Sequence, residues 1–112
     1  MQVTLSVDCE AEETFLYAAI TNISELGIFI RTTEPLPVGA ELTLRFAPQA
    51  AGETFVMTGQ VQWINEVQTF GENINPGMGV MFTNLTPDDR ERLVAAIRTI
   101  AYLRGDPASS TN

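Results

Sequence analysis

The sequence predicts a mainly β domain of six short antiparallel strands followed by one C-terminal α-helix. In the first 82 residues, apolar and polar residues alternate in short segments, as they do along half-buried strands. Glycine, proline, asparagine and aspartate separate these segments. After Leu85 the apolar residues recur at helical spacing. This pattern permits either a closed barrel or a two-sheet sandwich whose apolar face the helix covers.

The first three strands are predicted over Val3–Val7, Phe15–Ile20 and Ile28–Thr32. The residues between the first two include four acids in Asp8–Glu13, so we expect a solvated turn there. Cys9 falls within this turn, where we expect an inert thiol. No histidine is present to activate it, and the neighbouring acids raise a thiol pKa.

The next three strands are predicted over Leu42–Phe46, Phe55–Ile64 and Gly77–Phe82. One face of the fifth strand is predicted to carry Phe55, Met57, Gly59, Val61 and Trp63. A glycine inside a strand indicates a bend or a close approach of another chain segment. The Asn65–Pro76 segment lacks a regular pattern, which fits either a mobile loop or a short hairpin.

The helix has clear start and stop signals. Thr86 is a favourable N-cap, and Pro87 suits the first helical position. Gly105 and Pro107 end the helix. The predicted buried stripe consists of Leu93, Ile97, Ile100 and Leu103, with Ala96 and Ala101 beside them. We therefore predict a domain over residues 1–104 and a disordered tail over residues 105–112.

Composition restricts the function classes. The net charge is −8, with six arginines, no lysine and no histidine, which argues against nucleic acid or an anionic membrane as a partner. The apolar runs are too short for a membrane span, and the start of the chain lacks a signal-peptide pattern. A single cysteine excludes an internal disulfide and fits a reducing cytoplasm. Either a monomer or a dimer is compatible with these features.

The residues also argue against an enzyme. Without histidine, catalytic triads and most metal sites are ruled out, and one cysteine rules out thiolate metal clusters. No glycine-rich phosphate-binding loop is present. We therefore expect a noncatalytic protein without a metal or a resident cofactor.

The candidate site is a polar corner between the second and third strands. Asn22, Ser24 and Gly27 are turn formers, and an apolar strand follows them directly. Spacing alone is compatible with an ordinary hairpin connection. The pattern Asn-x-Ser-x-x-Gly also resembles the [D/N]-x-S-x-x-G signature of PilZ domains.

Further segments extend this resemblance in the order typical of the PilZ family, over roughly residues 3–103. They are Glu34–Gly39, Gly59–Trp63, Gly77–Phe82 and the helix start at Leu85–Pro87. No single segment is specific, and the ordered set carries the resemblance. It implies the six-stranded antiparallel barrel rather than the sandwich.

The resemblance implies a link to the bacterial messenger cyclic di-GMP, which the family binds through two signatures. One is the corner, which meets a guanine base; the other is an R-x-x-x-R segment just ahead of the first strand. Here only Met1 and Gln2 precede that strand, and no arginine occurs before Arg31. Each charge-assisted hydrogen bond contributes roughly 1.5–3 kcal/mol, so losing two arginines costs several powers of ten in affinity. The family signature marks Asn22, Ser24 and Gly27 as ligand-binding residues. Arg31, one strand past the corner, offers a partial substitute for the missing clamp, but its position favours an ordinary solvated strand residue.

We therefore predict a cytoplasmic, noncatalytic PilZ-like adaptor that acts through protein–protein contacts in motility, pilus function or cyclic di-GMP signalling. Cyclic di-GMP binding itself is not favoured. The alternative is a cyclic di-GMP receptor with an atypical or truncated arginine site. We expect Trp63, Phe70 and Met81 to lie in the core rather than at a contact surface.

Overall fold

The computed structural model describes residues 1–48, 53–66 and 76–104, which form six strands and one helix. In chain order they are β1 (Gln2–Ala11), β2 (Thr14–Ile23), β3 (Gly27–Arg31), β4 (Glu41–Phe46), β5 (Phe55–Asn65), β6 (Gly77–Thr83) and α1 (Pro87–Arg104). The number and order of these elements agree with the sequence prediction. The predictions for Phe70, for most of the 65–76 segment and for the tail at 105–112 fall outside the described residues.

The six strands form a closed antiparallel barrel in the order β1-β2-β3-β6-β5-β4. The ring closes where β1 pairs with β4, with Val7 opposite Phe46 and Cys9 opposite Leu44. This pairing decides between the two predicted architectures, because two separate sheets would leave β1 and β4 unpaired. The barrel prediction is confirmed.

Alternation along the strands fills the interior of the barrel with apolar side chains, since successive residues point to opposite faces. The buried cluster includes Val7, Ile20, Ile28, Ile30, Leu42, Leu44, Phe46, Phe55, Met57, Val61, Met78, Val80 and Phe82. The helix joins this cluster through Leu93 and Ala96, and Ile97 packs against it while partly exposed. The predicted docking of the helix is therefore confirmed. The predicted buried stripe extends too far, however, because Leu103 is exposed to solvent.

The start of the helix has the predicted cap. The backbone N–H of Asp89 donates to the Thr86 hydroxyl at 3.0 Å, and the N–H of Arg90 donates to the Thr86 carbonyl at 2.9 Å. The first bond satisfies a donor that a helix start otherwise leaves unpaired, and the second is the first hydrogen bond of the helix itself.

Cys9 lies in the barrel core and not in a solvated turn, so that prediction was wrong. β1 continues to Ala11, and the turn is reduced to Glu12 and Glu13. The side chains of Asp8 and Glu10 point outward, and that of Cys9 between them points inward. The number of acids in this segment does not reveal this alternation. Burial raises the pKa of the Cys9 thiol to about 12, and the charge of Asp8 adds to the shift.

Trp63 lies on the outer face of the barrel, and its predicted core position was wrong. The pairing of β5 with β6 shifts between Val61 and Trp63, as in a β-bulge. One extra residue reverses the inside–outside alternation, so Val61 points into the core and Trp63 points away from it. Met81 is also exposed on the outer face, contrary to the prediction.

Candidate functional site

The polar corner is held in shape by the hydroxyl of Ser24. Its Oγ accepts hydrogen bonds from the N–H of Leu26 at 3.2 Å and the N–H of Gly27 at 3.3 Å. The hydroxyl also lies 3.3 Å from the Gly27 carbonyl, to which it donates, and the Ser24 N–H donates to the same carbonyl at 2.9 Å. Ser24 therefore organises the turn itself, whether or not a ligand is present.

Glycine is required at position 27 because there is no room for a side chain, and not because of its backbone conformation. A Cβ atom at this position would lie well inside van der Waals contact with the carbonyl oxygen of Val80 on β6. The φ angle of Gly27 is not positive, in contrast to Gly39 and Gly77. Glycine is therefore needed at position 27 for the close approach of β6 and not for an unusual backbone conformation.

Asn22 is exposed at the end of β2, next to the start of the chain. The terminal ammonium of Met1 donates to Asn22 Oδ1 at 3.2 Å and to the Ile23 carbonyl at 3.0 Å. The Ile23 N–H donates in return to the Met1 carbonyl at 2.9 Å. Residues placed ahead of Met1 would consequently enter at the corner.

Two aromatic rings form a platform beside the corner. Phe29 on β3 and Trp63 on β5 both pair with Gly79 of β6, which lies between them. A Cβ at Gly79 would collide with the indole ring, so the bare strand lets Trp63 lie flat across it. The rings stack with centroids 5.2 Å apart at an interplanar angle of 27°. Trp63 covers Phe29 but stays 50% exposed itself.

The corner and the platform line one groove of about 1070 Å³ on the barrel surface. Its wall includes all four residues that the sequence singled out, namely Asn22, Ser24, Gly27 and Arg31. It also includes residues that the sequence did not single out as a site, among them Phe29, Trp63, Met81 and Ile100. In the sequence, the platform is indicated only by the two glycines of β6, because they leave one face of that strand without side chains.

Arg31 is the one cationic side chain among the described residues that line the groove. It is exposed at the end of β3, opposite Ala19 and Gly77, and forms no ion pair within the described chain. Arg45 and Arg92 instead lie elsewhere and contact Glu10 and Glu53. Hydrogen bonding to Glu53 raises the pKa of Arg92, so that guanidinium stays charged.

The described residues show neither a metal-binding cluster nor a membrane-crossing helix. Over residues 1–48, 53–66 and 76–104, no three histidine, cysteine or acidic side chains lie together as metal ligands would. In the same part of the chain, no helix is both long and apolar enough to cross a membrane.

The family model for the PilZ domain matches residues 1–99, nearly the whole chain. The chain belongs to the PilZ domain family. No curated protein matches the sequence significantly.

Solved structures of PilZ proteins have the same fold. The Bacillus subtilis inhibitor of motility, MotI/DgrA, is 18% identical and superimposes with a TM-score of 0.70 over 96% of this chain. This chain spans 50% of that protein's length. The PilZ domain of CeSA from a cellulose-synthesizing bacterium is 14% identical, with a TM-score of 0.64 over 93% of this chain and 96% of that one.

The PilZ domain of YcgR from Escherichia coli was solved with c-di-GMP. It is also 14% identical, with a TM-score of 0.64 over 92% of this chain and 88% of that one. At these identities, the comparisons with solved structures show a shared fold.

Proposed function

We propose that this PilZ protein is a noncatalytic cytoplasmic adaptor. In this proposal it regulates motility, pilus function or another cyclic di-GMP-linked process by binding a protein partner. The groove face that carries Trp63, Phe29 and Met81 is the contact surface, and cyclic di-GMP does not bind there at micromolar concentrations. The observation that carries the proposal is an exposed aromatic platform beside a groove with a single arginine.

Charge supports the lack of nucleotide binding. Cyclic di-GMP carries two phosphates, and Arg31 is the one cationic side chain that the described groove offers them. The chain has 14 acids and six basic residues, so an anion approaching it meets a repulsive mean field unless cations are concentrated locally. The corner can still present hydrogen-bonding groups that read a base. The cation at the corner is the Met1 ammonium, which already donates to Asn22 and Ile23.

Exposure supports a protein partner. Trp63 and Met81 are each about half exposed on the outer face, and Leu26 at the corner is exposed beside them. Aromatic residues and methionine are enriched where proteins meet, since each buries a large apolar area on contact. One protein with the same fold, MotI/DgrA, is an inhibitor of motility, which fits an adaptor in motility control.

Titration calorimetry with cyclic di-GMP tests the nucleotide part of the proposal. The chain as it stands is expected to release no binding heat at micromolar concentrations. A variant with an R-x-x-x-R segment ahead of Met1 is expected to bind, because the added residues enter beside Asn22. An equally long Q-x-x-x-Q extension is the control and is expected to stay inactive. Tight binding by the unmodified chain contradicts the proposed deficiency.

Site-specific photocrosslinking in the native host tests the partner part. A crosslinking residue at position 63 is expected to form a discrete protein adduct, whereas one at Val56 is not. Val56 is the matched control because it is equally exposed on the outer face of the same strand. Met81→Glu is expected to abolish the adduct at position 63. Equal adducts from both positions would show that the groove face is not the contact surface.

A second candidate function is a cyclic di-GMP receptor with an atypical site. It is favoured by one observation, the joint presence of Asn22, Ser24, Gly27 and Arg31 on the wall of one groove. If the unmodified chain binds cyclic di-GMP, Arg31→Gln is expected to weaken binding about tenfold or more, as for the loss of one charge-assisted contact. Arg45→Gln, on another face, is the control and leaves the affinity unchanged.

A further inference from the structure

A pair of exposed aromatic side chains lies at the end of the β1–β2 hairpin, away from the groove. Phe15 is 49% exposed and Tyr17 is 77% exposed, and their rings meet edge to face with centroids 4.9 Å apart. Both point outward from β2, while Leu16 between them points inward. Two large aromatic rings held together in solvent are costly to leave uncovered.

Acids lie directly beside these rings. Across the ladder, Asp8 of β1 is opposite Tyr17, and Glu10 is opposite Phe15. Side chains directly opposite each other in an antiparallel pair have Cβ atoms about 4.5–5.5 Å apart. We call the surface formed by Phe15, Tyr17, Asp8 and Glu10 the hairpin face.

The charge of the hairpin face is uneven. Arg45 of β4 pairs with Glu10 at 3.4 Å, and within the described chain Asp8 has no ion-pair partner. The turn at Glu12 and Glu13 adds two exposed acids without described ion pairs. Four acids are therefore opposed by one arginine. The contact of Arg45 also shows that a guanidinium fits against a carboxylate on this face.

The hairpin face is separate from the groove. β3 ends at Arg31, which pairs with Ala19, so Phe15 and Tyr17 lie beyond the end of β3. None of the four residues of the hairpin face lines the groove. A ligand on one surface therefore leaves the other accessible.

We propose that the hairpin face is a second docking surface, and that its occupant is a cationic, arginine-bearing segment of a protein partner. A guanidinium can lie over the Tyr17 ring and pair with Asp8 at the same time, which combines a cation–π contact with a charge-assisted hydrogen bond. The net charge of −8 attracts such a segment and repels anionic ones. The inference extends the proposed adaptor function, since an adaptor needs two surfaces to connect two partners.

An arginine hexapeptide is the probe, and NMR of the ¹⁵N-labelled full chain reports where it binds. The peptide is expected to shift the amide signals of residues 8–17 and to leave those of the corner unchanged. Fluorescence of Trp63, the single tryptophan, is expected to stay constant, because that side chain lies in the groove. A glutamate hexapeptide is expected to shift neither region.

Paired variants separate a built surface from general charge attraction. Tyr17→Ser is expected to weaken peptide binding about two- to fivefold, as for the loss of one exposed cation–π contact. Tyr102→Ser is the matched control, since Tyr102 is 80% exposed on the helix and is expected to leave the affinity unchanged. Asp8→Asn is expected to weaken binding more than Glu91→Gln, which removes an exposed acid of α1.

Three outcomes would overturn the inference. The first is an equal loss of peptide affinity in the test and control variants. The second is a set of peptide-induced amide shifts centred on the groove. The third is the absence of amide shifts at millimolar peptide. The failure of this inference is distinguishable from failure of the proposed adaptor function. The nucleotide titration and the crosslinking at position 63 report on the groove alone.

Discussion

The two turns that bound β2 are built differently. Glu12 and Glu13 join β1 to β2 in solvent, and Glu12 adopts a left-handed conformation with φ of 48°. The Ser24–Leu26 corner joins β2 to β3 and is closed by the Ser24 hydroxyl, while the Leu26 carbonyl accepts the Phe82 N–H at 3.0 Å. Among the described residues, Glu12 and Glu13 form no ion pair with a strand outside their hairpin, whereas the second turn is hydrogen-bonded to β6.

This difference determines how much each turn tolerates. A turn that only connects two strands can change residues at small cost, because solvent satisfies its polar groups. A turn that a third strand contacts loses stability whenever a side chain no longer fits. The predictions below test this contrast, beginning with the largest expected effect.

Gly27→Val is expected to lower the free energy of unfolding by about 3 kcal/mol or more, because the new side chain would overlap backbone atoms of β6. Chemical denaturation followed by circular dichroism measures this change. Glu25→Val is the control: it adds the same side chain at an exposed corner position and is expected to change stability little. A fully stable Gly27→Val protein would show that β6 does not approach the corner as described.

The stability of the fold should fall at high pH, because Cys9 on the inner side of the β1–β2 hairpin then ionises. Its folded pKa of about 12 lies above the reference value of 9.0, so the buried thiol stabilises the fold fully below pH 9. That contribution is lost as the pH rises from 9 towards 12, by roughly 1.4 kcal/mol per pH unit.

Urea denaturation of the wild type and of Cys9→Ala at pH 8 and at pH 10.5 measures this loss. The wild type is expected to lose about 2 kcal/mol more than the variant over this range. Parallel losses in both proteins would mean that the thiol ionises as easily folded as unfolded. Cys9→Ser is expected to destabilise the fold by about 1–3 kcal/mol, because it buries a hydroxyl.

Ser24→Ala is expected to cost about 1–2 kcal/mol of stability, since the N–H groups of Leu26 and Gly27 lose their side-chain acceptor. Ser6→Ala on the exposed face of β1 is the control and is expected to change the denaturation midpoint little. If both variants behave alike, the hydroxyl of Ser24 does not hold the corner.

Glu12→Gly is expected to change stability by less than about 1 kcal/mol. Glycine relieves the left-handed strain at this position but gains entropy in the unfolded chain, so the two effects partly cancel. Thermal denaturation shows whether the stability rises or falls. A large loss would reveal contacts of the Glu12 side chain and remove the contrast between the two turns.

The elements of this fold could be predicted because local patterns encode them. Alternation located the strands, and Thr86 and Pro87 marked the start of the helix. The closure of the barrel needed the family resemblance, since the pairing of β1 with β4 joins segments about 35 residues apart and leaves no local signal.

The candidate site was predicted only in part. The corner residues form a recognisable motif, but the platform depends on the bulge between Val61 and Trp63. A bulge shifts the register of two strands, and nothing in the letters of β5 alone reports it. Cys9 was misplaced for a related reason, because a count of acids ignored that alternate residues face opposite ways.

The closed ring of strands also limits how any partner can be recognised. Each described strand has a hydrogen-bonded neighbour on both sides, although the start of β2 extends beyond the end of β3. Over the paired stretches of the barrel, a peptide therefore cannot extend the sheet by β-augmentation, the mode that needs a free strand edge. There, selectivity for a partner must come from outward side chains, so it can change by single surface substitutions while the hydrogen-bonded framework stays the same.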